Sequence, residues 1–453
     1  MREAKGATHL SPDAARRVLL LLTVTRWLPV GLVVSLHVLW MLERGLTLTQ
    51  ALAASAATGA AVLLLELPTS GVADALGRRP LLVVAGVVNV GAALAFLVAD
   101  SLVTFAVAAA LLGVFRALDS GPLEAWFVDT VHQTHPGTDV DQDLSRMGTT
   151  MGLSMGSGAV ASSVLVAWHP VQGHSALWLP ILVFVGLNVV HLVAVMLLLH
   201  EPARLDQRGF AAARASVAQA PGVIRSGLRM LRENRVLRYL VLVELFWSTS
   251  MISFEALMPA RMSELVGGEA QAAVVLGPIA AVAWLVFAVG ARASGWLSRR
   301  IGVARTAIVG RVLTSLGAIS MGLALGPVAL VVTHLLTYSM HGFGGPVYNA
   351  LLHREARADN RATVLSMASM VAFAAFTLSS PLLGLLSDHT SIQVAMVLAG
   401  VIGLGGAWCV LPALRAERER TTVDAAAVRT GPGHERQQDG RSDVTASGRS
   451  VPS

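Results

Sequence analysis

Long apolar stretches separated by short polar turns make up most of the chain. A membrane-spanning helix needs about 20 mostly apolar residues, each rising about 1.5 Å. Val18 to Met41, Leu81 to Ala99, Leu177 to Leu199 and Ile392 to Leu414 meet that need plainly. Hydropathy and turn signals together predict about twelve spans, at 18–41, 48–70, 81–100, 102–127, 146–168, 176–199, 239–262, 272–296, 304–325, 327–351, 363–386 and 391–413. The longest segment between them, Glu201 to Arg238, is basic and carries Val223, Leu228, Leu231 and Leu237 at helical spacing. That spacing predicts a connector lying partly on the membrane surface. After Leu414 the chain is rich in Arg, Gly, Ser, Thr and Asp, which predicts a disordered tail. The expected division is a terminus at 1–17, a six-helix bundle at 18–200, a connector at 201–238, a second six-helix bundle at 239–414 and a tail at 415–453.

Composition agrees with this pattern. Only 14% of residues are charged, against about 25% in soluble domains. The net charge of +6 raises the question of nucleic acid, but the distribution of arginine answers it. Arg78 and Arg79, the run Arg204 to Arg238, Arg299 to Arg305 and Arg354 to Arg361 all fall on one side of the predicted membrane, and almost only Arg44 and Arg261 on the other. This is the positive-inside bias. It places both termini in the cytoplasm and assigns the basic balance to topology and anionic lipid headgroups, with no nucleic-acid partner. The basic start (Arg2, Lys5, Arg16, Arg17) precedes an apolar stretch too long for a signal peptide, so an uncleaved first span is expected. One lysine among many arginines suits a GC-rich bacterial genome, and a bacterial plasma membrane is the expected location. The single Cys409 excludes an internal disulfide and a multi-cysteine metal site. Asp139, Asp141 and Asp143, near His132 and His135, lack the glycine and closing glutamate of a calcium loop. They read as a solvated loop capping span five, and no metal or cofactor is expected.

The chain repeats itself. Ser70 to Arg79 follows span two and Gly295 to Gly302 follows span eight, with Gly77 and Gly302 about 225 residues apart. Ser120-Gly121-Pro122 in span four and Gly344-Gly345-Pro346 in span ten recur at nearly the same offset. Two agreeing offsets argue for a duplicated six-helix unit, as in transporters that rock two halves about a central site.

Ser70 to Arg79 resembles the G-x-L-A-D-R-x-G-R-R loop motif of the major facilitator superfamily through Asp74, Gly77, Arg78 and Arg79; Ala75 and Ser70 depart from it. The resemblance implies an all-α membrane protein, with two pseudo-symmetric six-helix bundles and spans one, four, seven and ten around a cavity. It also implies a conformational latch. Asp74 would meet the start of span eleven and gain helix-dipole energy, while Arg78 would pair with Asp129 at the end of span four. On a second reading, Arg78 and Arg79 only enforce topology. Arg116-Ala117-Leu118-Asp119-Ser120-Gly121 resembles the family's R-x-x-Q-G motif, with Asp119 in the glutamine place, and implies a proton-coupling role for Arg116. Gly152 to Ala161 resembles the family's antiporter motif only faintly. Gly148, Gly152 and Gly156 share a face and predict close helix packing.

Charges within spans are costly, about 2.5–3.5 kcal/mol on insertion scales, so each is expected to be paired or functional. Arg26 lies about 13 Å past Arg17, and Glu66 about 12 Å before Asp74. The matching depths make the two candidate partners. Glu244 and Glu255 are eleven residues apart on span seven, nearly on one face. Glu255, Glu244 and Asp119 are the candidate proton carriers, in that order. Asp119 is expected to be held ionised by Arg116 three residues away, and Glu255 has Arg261 as an alternative partner. Trp27, Phe246, Trp247, Tyr338 and His341 are candidate cavity-lining residues, with His334 on the same face of span ten.

Gly152-Leu153-Ser154-Met155-Gly156 matches a hydrolase elbow but lies inside an apolar helix, not on a strand-to-helix turn. No paired catalytic constellation supports an enzyme. The favoured expectation is proton-driven export of an amphipathic small molecule by a monomer, since an apolar, aromatic site with few charges suits such cargo. Uptake of a polar nutrient, hinted at by Arg26 and Asn349, and a non-transporting sensor are the alternatives.

Overall fold

The computed structural model describes residues 10–70, 76–200, 210–356 and 360–430. Among them it has helices and no strand. Eleven helical stretches are long and apolar enough to cross a membrane. The remaining predicted span, span ten, is Pro327–Glu355, a 29-residue helix in which His334, Tyr338, His341 and a run of glycines dilute the apolar content.

Several spans are broken, each for a local reason. Span one starts at Pro12, where Ser11 caps it by accepting from Ala14 N at 3.3 Å, six residues before the predicted start. It runs to Val34, turns, and resumes as His37–Glu43. Span four stops at Asp119 and restarts as Pro122–Thr134, because Gly121 takes the left-handed conformation (φ 90°) and Pro122 has no N–H to continue the ladder. Span seven runs Arg235–Ile252, passes through one π turn at Ser253–Leu257, and ends as Met258–Val266. Pro259 cannot donate to the carbonyl of Glu255, which loosens the ladder where the turn widens. The connector contains one helix, Phe210–Glu233, packed against the ends of spans two and eleven. The last helix, Leu411–Thr430, carries on past the point where a disordered tail was expected to start. It is held by Glu417, which accepts from Val303 N and Ala304 N at the start of span nine (3.1 and 2.9 Å) and from Arg354 (3.1 Å).

The duplicated turn is visible in the backbone. Gly77 has φ 95°, ψ 153° and Gly302 has φ 91°, ψ 160°, and each stands immediately before a helix, span three or span nine. Side chains other than hydrogen are strained in this region, so the same residue type marks the same corner in both halves.

Packing shows how the halves meet. At the end away from the arginine-rich turns, a single apolar cluster joins the halves, with Leu36, Trp40 and Met41 of the first and Phe254, Met258 and Met262 of the second. At the arginine-rich end the clusters are separate. Leu19, Leu82, Trp126 and Phe127 belong to one, and Leu240, Ala304, Leu351 and Val410 to the other. Among the described residues, the buried apolar clusters are therefore shared between the halves at one end and confined to single halves at the arginine-rich end. Two helix pairs form the seam. Span two meets span eleven, with Asp388 accepting from Thr49 N at 3.0 Å. Span five meets span eight, where Ser163 Oγ donates to Ala273 O (2.7 Å) and accepts from Gly277 N (3.0 Å). The predicted glycine face only partly serves this seam. Gly148 and Gly152 face open space and Gly156 lies near Ala281; the close approach at the seam is Gly277 on Ala159, while Gly158 on Leu28 and Gly31 on Met155 pack spans one and five within the first half.

Candidate functional site

Arg26 is 8% exposed on span one. Its Nε donates to Asp119 Oδ2 at 2.7 Å, and its guanidinium lies 4.3 Å from the Phe115 ring and 4.8 Å from Trp27. Its Nη1 is buried without a partner. The expected pair with Glu66 is replaced by this one. Glu66 instead accepts from Ser369 Oγ of span eleven at 2.9 Å, a bond across the seam. Matching depth fixes only one coordinate, and Asp119, ending its helix before the Gly121 turn, is the acid that swings towards span one. Asp119 is accordingly not bonded to Arg116. Arg116 is exposed near the middle of the Leu102–Thr134 stretch. Its guanidinium stands 5.6 Å from the ring of Phe373 on span eleven, so it faces the other half and not lipid.

The second half is arranged differently. Glu255 Oε1 accepts from Tyr338 Oη at 2.8 Å. Arg261, its alternative partner, pairs with Glu264 at 2.7 Å. Tyr338 belongs to a ring cluster with His334 (5.3 Å), His341 (5.7 Å), Phe254 (6.0 Å) and Trp284 (6.0 Å). Trp247 stacks on His341 at 5.5 Å and an interplanar angle of 19°. The Nδ1 atoms of His334 and His341 are buried without partners. Phe246 does not join this cluster. It packs on Gly405 and Gly406 of the last span, so it leaves the set of cavity candidates. Adjacent helix positions point about 100° apart, and Phe246 and Trp247 could not both face one site.

Glu255 lies within the π turn, and it and Glu244 do not share surroundings. Glu244 is 8% exposed and lies in the electrostatic field of Arg311, and the nearby Tyr348 hydroxyl donates to Leu240 O at 3.1 Å. Arg311, on Val303–Gly322, stands 5.7 Å from Trp247 and 5.0 Å from Tyr348. Sequence reasoning passed over Arg311, Trp284 and Phe287. A lone arginine midway along an apolar span and an aromatic pair three residues apart were the signals.

At the arginine-rich end Arg78 Nη1 meets Asp129 Oδ2 at 2.6 Å and also bonds the carbonyl of Ala125, while Arg79 donates to Met196 O at 2.8 Å. Asp74 lies outside the described residues. Asp143 is not merely solvated: it is largely buried and accepts from Arg16 (2.7 Å) and Arg146 (3.1 Å). Among the described residues no group of His, Cys, Asp and Glu is placed to hold a metal ion.

A family model described as the Major Facilitator Superfamily matches residues 19–374. The chain belongs to the major facilitator superfamily. It is a multi-pass membrane transporter and not an enzyme. No curated protein matches it in sequence. Solved structures of similar fold include the nucleoside transporter NupG (TM-score 0.69, 11% identity, covering 88% of this chain and 99% of that one). A peptide transporter POT in complex with sulfate is similar at TM-score 0.69 and 15% identity, over 89% of this chain and 94% of that one. A structure described under substrate recognition in proton dependent oligopeptide transporters has TM-score 0.66 and 12% identity, over 90% of this chain and all of the other. Identities this low speak to fold alone. In this major facilitator the two halves carry different chemistry, an ion pair on spans one and four and a carboxyl–phenol bond on spans seven and ten.

Proposed function

We propose that this major facilitator is a proton-coupled exporter of an amphipathic small molecule, working by alternating access in the plasma membrane with both termini in the cytoplasm. The observation that carries the reading is the Glu255–Tyr338 bond at 2.8 Å inside a half-buried ring cluster. Glu255 has a neutral partner, so protonating it leaves no cation stranded. Asp119 cannot change state so cheaply, because Arg26 depends on it. The rings of Trp247, Tyr338 and Trp284 offer apolar surface suited to lipophilic cargo. The fold is shared with transporters described as proton dependent, which supports such a cycle. With the arginine-rich end taken as cytoplasmic, the separate apolar clusters at that end support an inward-facing state that loads cargo from the cell. Arg78–Asp129 is in place within the first half and is available to the latch that Asp74 would complete.

The test uses protein reconstituted in vesicles with an imposed pH gradient and a panel of amphipathic compounds. Wild type is expected to move at least one compound against its gradient while protons flow the other way. Glu255→Gln is expected to keep exchange of cargo and lose gradient-driven accumulation. Accumulation by Glu255→Gln equal to wild type would remove Glu255 as carrier, and transport indifferent to the pH gradient would end the proton-coupled reading.

A further inference from the structure

The first half holds two guanidiniums at membrane depth, and only one is answered by a bonded carboxylate. Arg26 uses Nε on Asp119 and keeps a buried Nη1 with no acceptor. A buried donor without an acceptor is costly and asks for a partner. Arg116 is within electrostatic reach of Arg26 and has no hydrogen bond among the described residues. It lies in mid-span and faces Phe373 across the seam. Asp119 and Glu66 are also within electrostatic reach of Arg116, but Asp119 is bonded to Arg26 and Glu66 to Ser369. The two guanidiniums lie on either side of Asp119 with donors to spare, and an anion between them would fill those donors together. A guanidinium fork fits a carboxylate or another oxyanion in two parallel bonds.

We infer that Arg116 and the free edge of Arg26 form the binding site for an anionic head group of the cargo, with Phe373 of the other half against its apolar body, so that the transported molecules are amphipathic organic anions. This rests on the transporter reading above and adds the charge of the cargo to it. It also gives the anion a place in the cycle. Arg116 belongs to one half and Phe373 to the other, so a molecule held by both lies on the seam that opens and closes.

Three matched probes test it: 2-naphthoate, 2-naphthamide and 2-naphthylmethylammonium, titrated by calorimetry into the purified full chain in detergent. The carboxylate is expected to bind at least about tenfold tighter than the amide, as one charge-assisted pair contributes about 1.5–3 kcal/mol. The ammonium is expected to bind most weakly. Arg116→Gln is expected to remove the preference for the carboxylate while leaving the amide's affinity within about twofold. Arg116 is exposed and unbonded, so this variant should fold; its thermal unfolding temperature, compared with wild type, checks that. Any order in which the carboxylate is not the tightest, including no binding by all three, overturns the inference, as does undiminished carboxylate preference in Arg116→Gln. Neither outcome touches proton coupling, because the measurement involves no transport and no gradient. A protein that drives a cationic compound outward against a pH gradient and shows no carboxylate preference keeps the proposed function and loses this site.

Discussion

The two halves share a corner and differ at their centres. Gly77 and Gly302 hold the same unusual backbone conformation before spans three and nine, as expected if one six-helix unit was duplicated. At the centre of the first half, Arg26 and Asp119 make a direct ion pair, and the helix carrying Asp119 breaks at Gly121. At the equivalent place in the second half, span ten runs unbroken through Gly344, Gly345 and Pro346, and Glu255 of span seven bonds the Tyr338 hydroxyl on it. A guanidinium partner fixes the charge of a carboxylate, since losing that charge strands the cation. A phenol partner leaves the carboxylate free to change state. The difference separates two central carboxylates: Asp119, whose charge Arg26 holds, and Glu255, whose partner is neutral, which is the contrast the proposed cycle uses.

The strongest way to break this contrast is to neutralise the ion pair. Arg26→Gln and Asp119→Asn each leave a buried partner alone, and each is expected to cost about 3–5 kcal/mol of stability, read as thermal unfolding in detergent. The double variant should recover most of the loss, a coupling that a double-mutant cycle isolates. Glu255→Gln should cost only about 0.5–1.5 kcal/mol, the worth of one ordinary hydrogen bond. If Glu255→Gln destabilises as much as Asp119→Asn, or if the first two losses simply add, the halves are not distinguished in this way.

The seam between the halves gives the next largest effect. A methyl group at Gly277 would overlap the backbone of Ala159 and displace the Ser163 bond, so Gly277→Ala is expected to cost about 1–3 kcal/mol through overpacking. Gly152→Ala meets open space and should cost nothing measurable. Equal effects in the same unfolding measurement would contradict a seam that is tight at Gly277 and loose at Gly152.

The shared corner can be sharpened by treating both halves alike. Gly77→Ala and Gly302→Ala each force a side chain into a region where strain is about 1–3 kcal/mol. The two should lose stability by the same amount within about 0.5 kcal/mol. Addition of a side chain at Gly302 also approaches Glu417, so an excess loss there would measure that contact and not the turn.

How much of this was legible in the sequence depended on which coordinate a residue pattern fixes. Apolar run length fixed the number and order of spans, and the offset between Gly77 and Gly302 exposed the repeat before any geometry was known. The Arg78–Asp129 contact followed from a resemblance and is present. Lateral position was not legible. Arg26 and Glu66 have matching depth, but depth leaves open which way a helix is turned, and the break at Gly121 turned Asp119 to Arg26 instead. The spacing of Glu244 and Glu255 says nothing of their partners, and these differ: Arg311 stands by the first and Tyr338 bonds the second, which lies in the π turn before Pro259. Phe246 was counted with Trp247 although neighbouring positions on a helix diverge. Tyr338 was recognised as a ring and not as a hydrogen-bond donor, so the partner of Glu255 was missed even though both residues had been singled out.

The smallest predicted effect concerns what each half uses to secure the corner it shares. The first half has Arg78 on Asp129. In the second, Glu417 from the last helix accepts from Val303 N and Ala304 N and from Arg354, while Arg420 pairs with Glu355 at 2.6 Å. A carboxylate on the first N–H groups of a helix satisfies donors that have no partner inside the helix and opposes the positive end of its dipole. The segment after residue 414 thus does in one half what a span residue does in the other. Glu417→Ala is expected to cost about 1 kcal/mol, the usual worth of a helix cap, and Glu419→Ala, an exposed neighbour on the same helix, should cost nothing measurable. A clasp made of charge should also weaken with salt. The gap between the two variants is therefore expected to narrow as ionic strength rises, and a gap that is absent at low salt would show that the last helix rests on the corner without holding it.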